Sequence, residues 1–206
     1  MSIKINLEKE NKNMNKNMKI LIIPIGPPGC GKTSLGIFIK NRFDKVFYTN
    51  RDEEYKKLRD EGNGSRKTRR ILYDNLMDFY KSVNMYDRDC IIYMDSVNGI
   101  DSIRKKFVES MQVDKIIYIN FLVSDCSIGF LLDRTMKREG HPTFPLDKDE
   151  QLVTIKNVMD SIDYMLESNE ECNNNTNIIK NYDMLDKPDF TSSDIFDNYL
   201  SDCILG

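Results

Sequence analysis

The stretch LIIPIGPPGCGKTSLGIFIKN, Leu21 to Asn41, decides the reading of the chain. Its apolar start, from Met18 to Ile25, is short and rich in β-branched residues, the pattern of a buried strand. A Gly/Pro-rich loop follows, and the pattern from Lys32 to about Phe43 predicts a helix. Gly26-Pro27-Pro28-Gly29-Cys30-Gly31-Lys32-Thr33 fits G-x-x-x-x-G-K-[ST] in full. Glycines let backbone N–H groups wrap an anion, and the start of a helix adds partial positive charge to the same spot. A lysine is disfavoured at a helix start by that dipole, so Lys32 there makes sense with an anion bound. The motif assigns Gly26 to Thr33 to a nucleotide, with Lys32 on its β- and γ-phosphates and the Thr33 hydroxyl on Mg²⁺.

Downstream, apolar strands alternate with helical patterns. KVFYTN (45–50), CIIYMD (90–95), KIIYINFLV (115–123) and NIIKNY (177–182) read as strands. RDEEYKKLRDE suits a charged helix broken by GNGS, and Ser65 is placed to cap the next one, where Ile71, Leu72, Leu76, Phe79 and Tyr80 share a face. Asp101 is expected to cap SIRKKFVESM, and residues 149–168 read as one long amphipathic helix. Strand–helix alternation implies crossover connections, a parallel sheet and an α/β fold of three layers. Residues 1–17 read as a disordered polar arm and 18–206 as one domain, with a lid near 134–146 and a tail after about 187 that the pattern does not assign.

Composition removes several classes. No window approaches a membrane span and no signal-peptide core is present. The five cysteines are scattered and never spaced C-x-x-C, which fits reduced thiols in the cytoplasm and neither a disulfide frame nor a zinc site. A net charge of −3 rules out a bulk basic field, so nucleic-acid binding requires a local patch.

Four sets of residues can carry chemistry. Asp95 ends an apolar strand and is placed to orient Mg²⁺ directly or through water; as a plain turn residue it would carry nothing. Asp52 lies just beyond the second strand, at the carboxyl edge where ligands enter open α/β sheets. A carboxylate there can take a proton from an attacking hydroxyl, and it equally suits a helix opening. Arg134, Lys137 and Arg138 precede a Gly/His/Pro break, with Arg134 and Arg138 one turn apart, as in a lid over transferring phosphate. His141 beside Pro142 reads as a loop hydrogen-bonder. Seven basic residues in 56–70, among them Lys56, Arg66, Lys67, Arg69 and Arg70, flank a flexible turn, suiting either a nucleic-acid backbone or a solvated helix pair.

Together these segments resemble the phage-type polynucleotide 5′-hydroxyl kinases and, more weakly, the kinase domain of fungal tRNA ligases. The resemblance covers about residues 18–146. It rests on GPPGCGKTS, on Phe47-Tyr48 followed by Asn50-Arg51-Asp52, on Asp95-Ser96-Val97-Asn98, and on Arg134 to Arg138 before Gly140; GCGKT and GHPT are similar to the tRNA-ligase kinases. It implies a phosphate-loop kinase fold and transfer of a γ-phosphate from ATP or GTP to an alcohol acceptor, the 5′-OH end of RNA or DNA, in nucleic-acid repair. Asp52 would be the general base, Lys32 and Thr33 (or Ser34) would hold donor phosphates and metal, and Arg138 with Arg134 would stabilise the transition state. The family's arginine shortly after the aspartate is replaced here by Tyr55, leaving Lys56 as its substitute and Arg51, Arg66, Arg69 and Arg70 as further acceptor contacts. No DxDGT-type phosphatase half and no nucleotidyl-lysine ligase domain is present, so the expectation is a stand-alone kinase or one part of a split system with a separate ligase or phosphatase. A small-molecule kinase for a nucleoside, nucleotide or antibiotic stays open, as does a nucleotide-binding switch or toxin-like module.

Overall fold

The computed structural model describes residues 18–123, 127–137, 147–165, 177–184 and 191–205. Five parallel strands form one sheet in the order β2-β3-β1-β4-β5: β1 Lys19–Ile25, β2 Val46–Asn50, β3 Cys90–Asp95, β4 Lys115–Leu122 and β5 Asn177–Asp183. β1 is the centre, with Ile20 facing Ile91 of β3 on one side and Lys115 of β4 on the other. Its side chains alternate between two cores. Ile20 and Ile22 join Leu35, Ile39, Phe121 and Leu131 on one face, and Leu21 and Ile23 join Leu72, Leu76, Tyr80 and Phe107 on the other. A strand apolar in both registers is one covered on both faces, and this is why the chain folds as three layers.

Helices α1 (Lys32–Arg42), α5 (Ile128–Met136) and α6 (Lys148–Asp160) supply the first face, and α3 (Ser65–Val83) and α4 (Asp101–Glu109) the second. Helix α2 (Arg51–Asp60) begins directly where β2 stops. The expected caps differ. Ser65 and Asp101 are the first residues of their helices, after Gly64 and Ile100. Asp101 instead pairs with Lys105 at 2.6 Å and Arg104 at 3.3 Å.

The helix expected over 149–168 ends at Asp160. Beyond it the chain crosses the carboxyl edge of the sheet, and Ile162, Tyr164 and Met165 pack into the second core. Non-local hydrogen bonds replace the helical ones: Asp163 N–H donates to Gly99 O at 2.8 Å, Arg104 Nη2 to Asp163 O at 2.7 Å, and Asn120 Nδ2 to Met165 O at 2.7 Å. The tail that the pattern left unassigned is helical in three pieces, α7 Ser192–Ile195, a π turn Phe196–Leu200 and α8 Ser201–Leu205. Fully buried Phe196 locks it to α1, its ring centroid 5.7 Å from Phe38 and 5.8 Å from Phe43. Burying such a ring stabilises by about 1.5–3 kcal/mol. Among the described residues, Cys30, Cys90 and Cys203 are free thiols, and no helix is long and apolar enough to cross a membrane. The arm at 1–17, and Arg138 to Leu146 of the expected lid, lie outside the described residues.

Candidate active site

The loop after β1 turns through left-handed glycines, Gly29 at φ 88° and Gly31 at φ 103°. These dihedrals are strained for any residue with a Cβ. At Gly29 a Cβ would also stand 2.9 Å from Leu131 O, so the loop rests directly on α5. Its other end is tied to the turn after β3, where Gly26 N–H donates to Val97 O at 3.3 Å. Lys32 opens α1 and is 8% exposed. Its Nζ donates to Gly26 O and Pro27 O, both at 2.8 Å, and lies 3.5 Å from Cys30 Sγ. The ammonium is thus folded into the hollow of the loop, held by loop carbonyls. Thr33 is partly exposed and Ser34 exposed beside it.

Asp95 ends β3, next to β1, and is 5% exposed. Its register partner on β2 is Asn50. Tyr48 Oη donates to Asp95 Oδ2 at 2.5 Å. Burial first, and the neighbouring Asp95 charge second, hold the Tyr48 phenol far above its ordinary range, so it is a donor and not a phenolate. Tyr48 and Tyr93 stack at 5.9 Å and 17°, and Tyr93 Oη donates to Lys32 O at 2.6 Å. One chain of contacts therefore runs from the start of α1 to the Asp95 carboxylate.

The donor set suits Mg²⁺. The Thr33 hydroxyl and the Asp95 carboxylate are hard oxygen ligands. Among the described residues no group of three or more His, Cys, Asp or Glu could hold a metal.

A cleft of about 310 Å³ opens beside Asp95, between α3, α4 and the turn 96–100. Leu72, Leu76, Met94, Ile103 and Phe107 make it apolar, Tyr73 adds an aromatic edge, and Arg51 and Arg69 give it two cationic walls. Thr49 also lines it, 3.0 Å from the Tyr80 hydroxyl, whose pKa burial pushes up to about 12. Buried Arg104 fixes the turn by donating from Nη1 to Asn98 O. A second groove, about 630 Å³, runs past Thr33, Tyr48, Asn50 and Glu53, and Thr49 and Leu76 border both.

The other expected residues fall as follows. Asp52 is partly buried in the first turn of α2, where its N–H donates to Asn50 Oδ1 at 3.1 Å, and its side chain is in the lining of neither cleft. Tyr55 packs toward the second core and Lys56 is exposed outside both linings. Arg69 is in the cleft wall, exposed Arg66 sits one turn before it on α3, and exposed Arg70 is 4.0 Å from Asp74. Arg134 is on α5, its guanidinium carbon 5.4 Å from the Phe130 ring centre. Arg138 and His141 lie outside the described residues. Sequence reasoning missed Tyr48 as the partner of Asp95 and Phe107 as part of the cleft, since both depend on how separate segments meet.

The sequence matches no family model and no curated protein. Solved structures do match. A fungal RNA kinase is similar at TM-score 0.58 and 18% identity over 92% of this chain and 91% of that one. A gluconokinase from Sinorhizobium meliloti 1021 is similar at TM-score 0.54 and 15% identity over 90% of each chain. Kti12 of Chaetomium thermophilum, in complex with ADP-AlF3, is similar at 0.53 and 15%, over 91% of this chain and 100% of that one. With its parallel five-stranded sheet and its glycine loop between β1 and α1, the chain has the fold of the P-loop kinases.

Proposed function

We propose that the chain is a phosphotransferase that moves the γ-phosphate of ATP or GTP to the 5′-hydroxyl of a polynucleotide. The observation that carries this reading is the cleft beside Asp95, apolar and aromatic inside with Arg51 and Arg69 in its walls. An apolar floor suits a base, which stacks on aromatic side chains, and two guanidinium groups suit the adjoining phosphates. One of the solved structures of the same fold is a fungal RNA kinase, which is compatible with an RNA acceptor.

In this reading the loop N–H groups and Lys32 hold the donor phosphates. Thr33 and Asp95 would hold Mg²⁺, which offsets charge on the β- and γ-phosphates when bound. Asp52, at the carboxyl edge, takes the proton of the attacking hydroxyl, and Arg134 with Arg138 supply positive charge from the lid. Arg69, rather than Lys56, takes the place of the family's acceptor arginine, because Arg69 is in the cleft wall and Lys56 is not.

A small-molecule acceptor is the second reading, favoured by the cleft volume of about 310 Å³, which suits a compact ligand. A labelled γ-phosphate transfer panel separates the two: 5′-OH RNA and DNA oligomers, 3′-nucleotides, free nucleosides and gluconate, each with ATP and GTP. Label on oligomers well above nucleosides and gluconate supports the proposal. Label on nucleosides or gluconate alone would replace it with the second reading.

A further inference from the structure

We propose that Tyr48 is a positioning residue for Asp95, fixing which carboxylate oxygen faces the nucleotide-bound metal; this rests on the phosphate-loop reading of the same site. Asp95 has two oxygens, and Tyr48 Oη occupies Oδ2 at 2.5 Å. Oδ1 is then the oxygen left for the metal or its water. The phenol is held from three sides. Tyr48 is the register partner of Tyr93, so both rings lie on one face of the sheet, stacked at 5.9 Å. Asp95 follows Tyr93 by two residues and shares that face, which brings its carboxylate to the end of the neighbouring phenol. Above the pair lies Gly36 of α1, where a Cβ would meet the Tyr93 ring at 2.6 Å and the Tyr48 ring at 2.7 Å. Helix α1 therefore clamps both rings, and the Tyr93 hydroxyl ties the first turn of that helix at Lys32 O, 2.6 Å away. The same helix carries Thr33, the other oxygen ligand of the motif. Tyr48 thus couples the placement of the phosphate-loop helix to the orientation of the carboxylate across from it.

Outer partners of metal ligands typically change metal affinity about 10–100-fold when removed. Tyr48→Phe keeps the ring stack and deletes only the donor. The measurement is Mn²⁺ binding by electron paramagnetic resonance in the presence of ADP, with ADP binding in EDTA as the metal-free control. Tyr48→Phe should weaken Mn²⁺ at least about 10-fold and leave metal-free ADP binding unchanged in a protein that still unfolds cooperatively. Replacement of Tyr48 by 4-aminophenylalanine, which retains an N–H donor, should restore affinity. In an Asp95→Asn background Tyr48→Phe should have little further effect, because the two act through one bond. Unchanged or tighter Mn²⁺ binding by a folded Tyr48→Phe protein, with wild type binding Mn²⁺ and ADP normally, would overturn the Tyr48 assignment alone. No ADP-dependent Mn²⁺ binding by wild type would overturn the phosphate-loop reading and this inference with it.

Discussion

The Tyr93 ring fills the space that a side chain on Gly36 would need, with Cε1 only 2.6 Å from where its Cβ would stand. Gly36 is inside α1, and replacing an exposed mid-helix glycine by alanine ordinarily gains about 1 kcal/mol. Overpacking a filled core costs about 1–3 kcal/mol. Here the second effect wins, because the fully buried Tyr93 ring under the helix has no room to retreat. Gly36→Ala is expected to lower stability in urea denaturation, and to displace Tyr48 as well. A gain in stability would mean that α1 rides further from the sheet than these contacts require.

Lys32 is expected to matter twice. In the proposed reaction its ammonium holds donor phosphates, and in the structure it donates to Gly26 O and Pro27 O. Lys32→Met keeps the stem and removes the charge. Phosphate transfer should fall at least about 10²-fold. Stability should also drop by about 1–3 kcal/mol, since two loop carbonyls lose a charged donor. Transfer close to wild type in a folded Lys32→Met protein would end the phosphate-loop reading.

These two residues mark what is legible in the sequence and what is not. The glycine loop, the strand before it and the helix after it follow from local pattern, and β1 shows its two-sided burial in its composition. Gly36 carries no sign of the rings beneath it, because those come from β2 and β3 and meet only through register. The Tyr48–Asp95 bond spans 47 positions for the same reason. Residues 161–165 are compatible with a helix, and α6 stops because Gly99, Arg104 and Asn120 offer their backbone other partners. The C-terminal helix had a readable start, the Thr191–Asp194 capping box, but its length depends on Phe196 docking against α1. Of the two expected lid arginines, Arg134 is placed on α5 and Arg138 is outside the described residues.

The basic residues of 56–70 should separate by position. Arg51 and Arg69 are in the cleft wall, whereas Lys56 is outside it and Arg70 lies beside Asp74. Each phosphate contact on a single strand adds about 0.7 to the slope of log affinity against log salt. Arg51→Ala and Arg69→Ala should each weaken 5′-OH oligonucleotide binding and flatten that slope by about this amount. Lys56→Ala and Arg70→Ala should leave the slope alone, and ATP binding should be constant throughout. Equal slopes for all four variants would assign the acceptor to another surface.

The proposed function divides the remaining chemistry between Asp52 and Asp95, and their surroundings argue for different roles. Asp95 is buried, bonded to Tyr48 and set on the strand next to β1, so its charge is fixed beside the phosphate loop. Asp52 is in the first turn of α2, less buried, after a strand end that Asn50 caps from the side. A fixed, partly bonded carboxylate suits a metal; a more exposed one suits a proton that must leave for water. Asp52→Asn keeps size and polarity but cannot take a proton, and loss of a general base typically costs about 10²–10⁴-fold. Asp52→Asn is therefore expected to bind ATP·Mg²⁺ and oligonucleotide normally while transferring phosphate at least about 10²-fold more slowly at every Mg²⁺ concentration. Asp95→Asn should instead raise the Mg²⁺ concentration needed for half-maximal rate. Single-turnover transfer across a Mg²⁺ series, run on both variants, reads the difference. The arrangement gives one outcome particular force: the Asp52 side chain is outside the lining of the cleft that Asp95 borders. Full activity in Asp52→Asn, with Asp95→Asn dead at all Mg²⁺ levels, would move the base to Asp95 and leave Asp52 as the acid that opens α2.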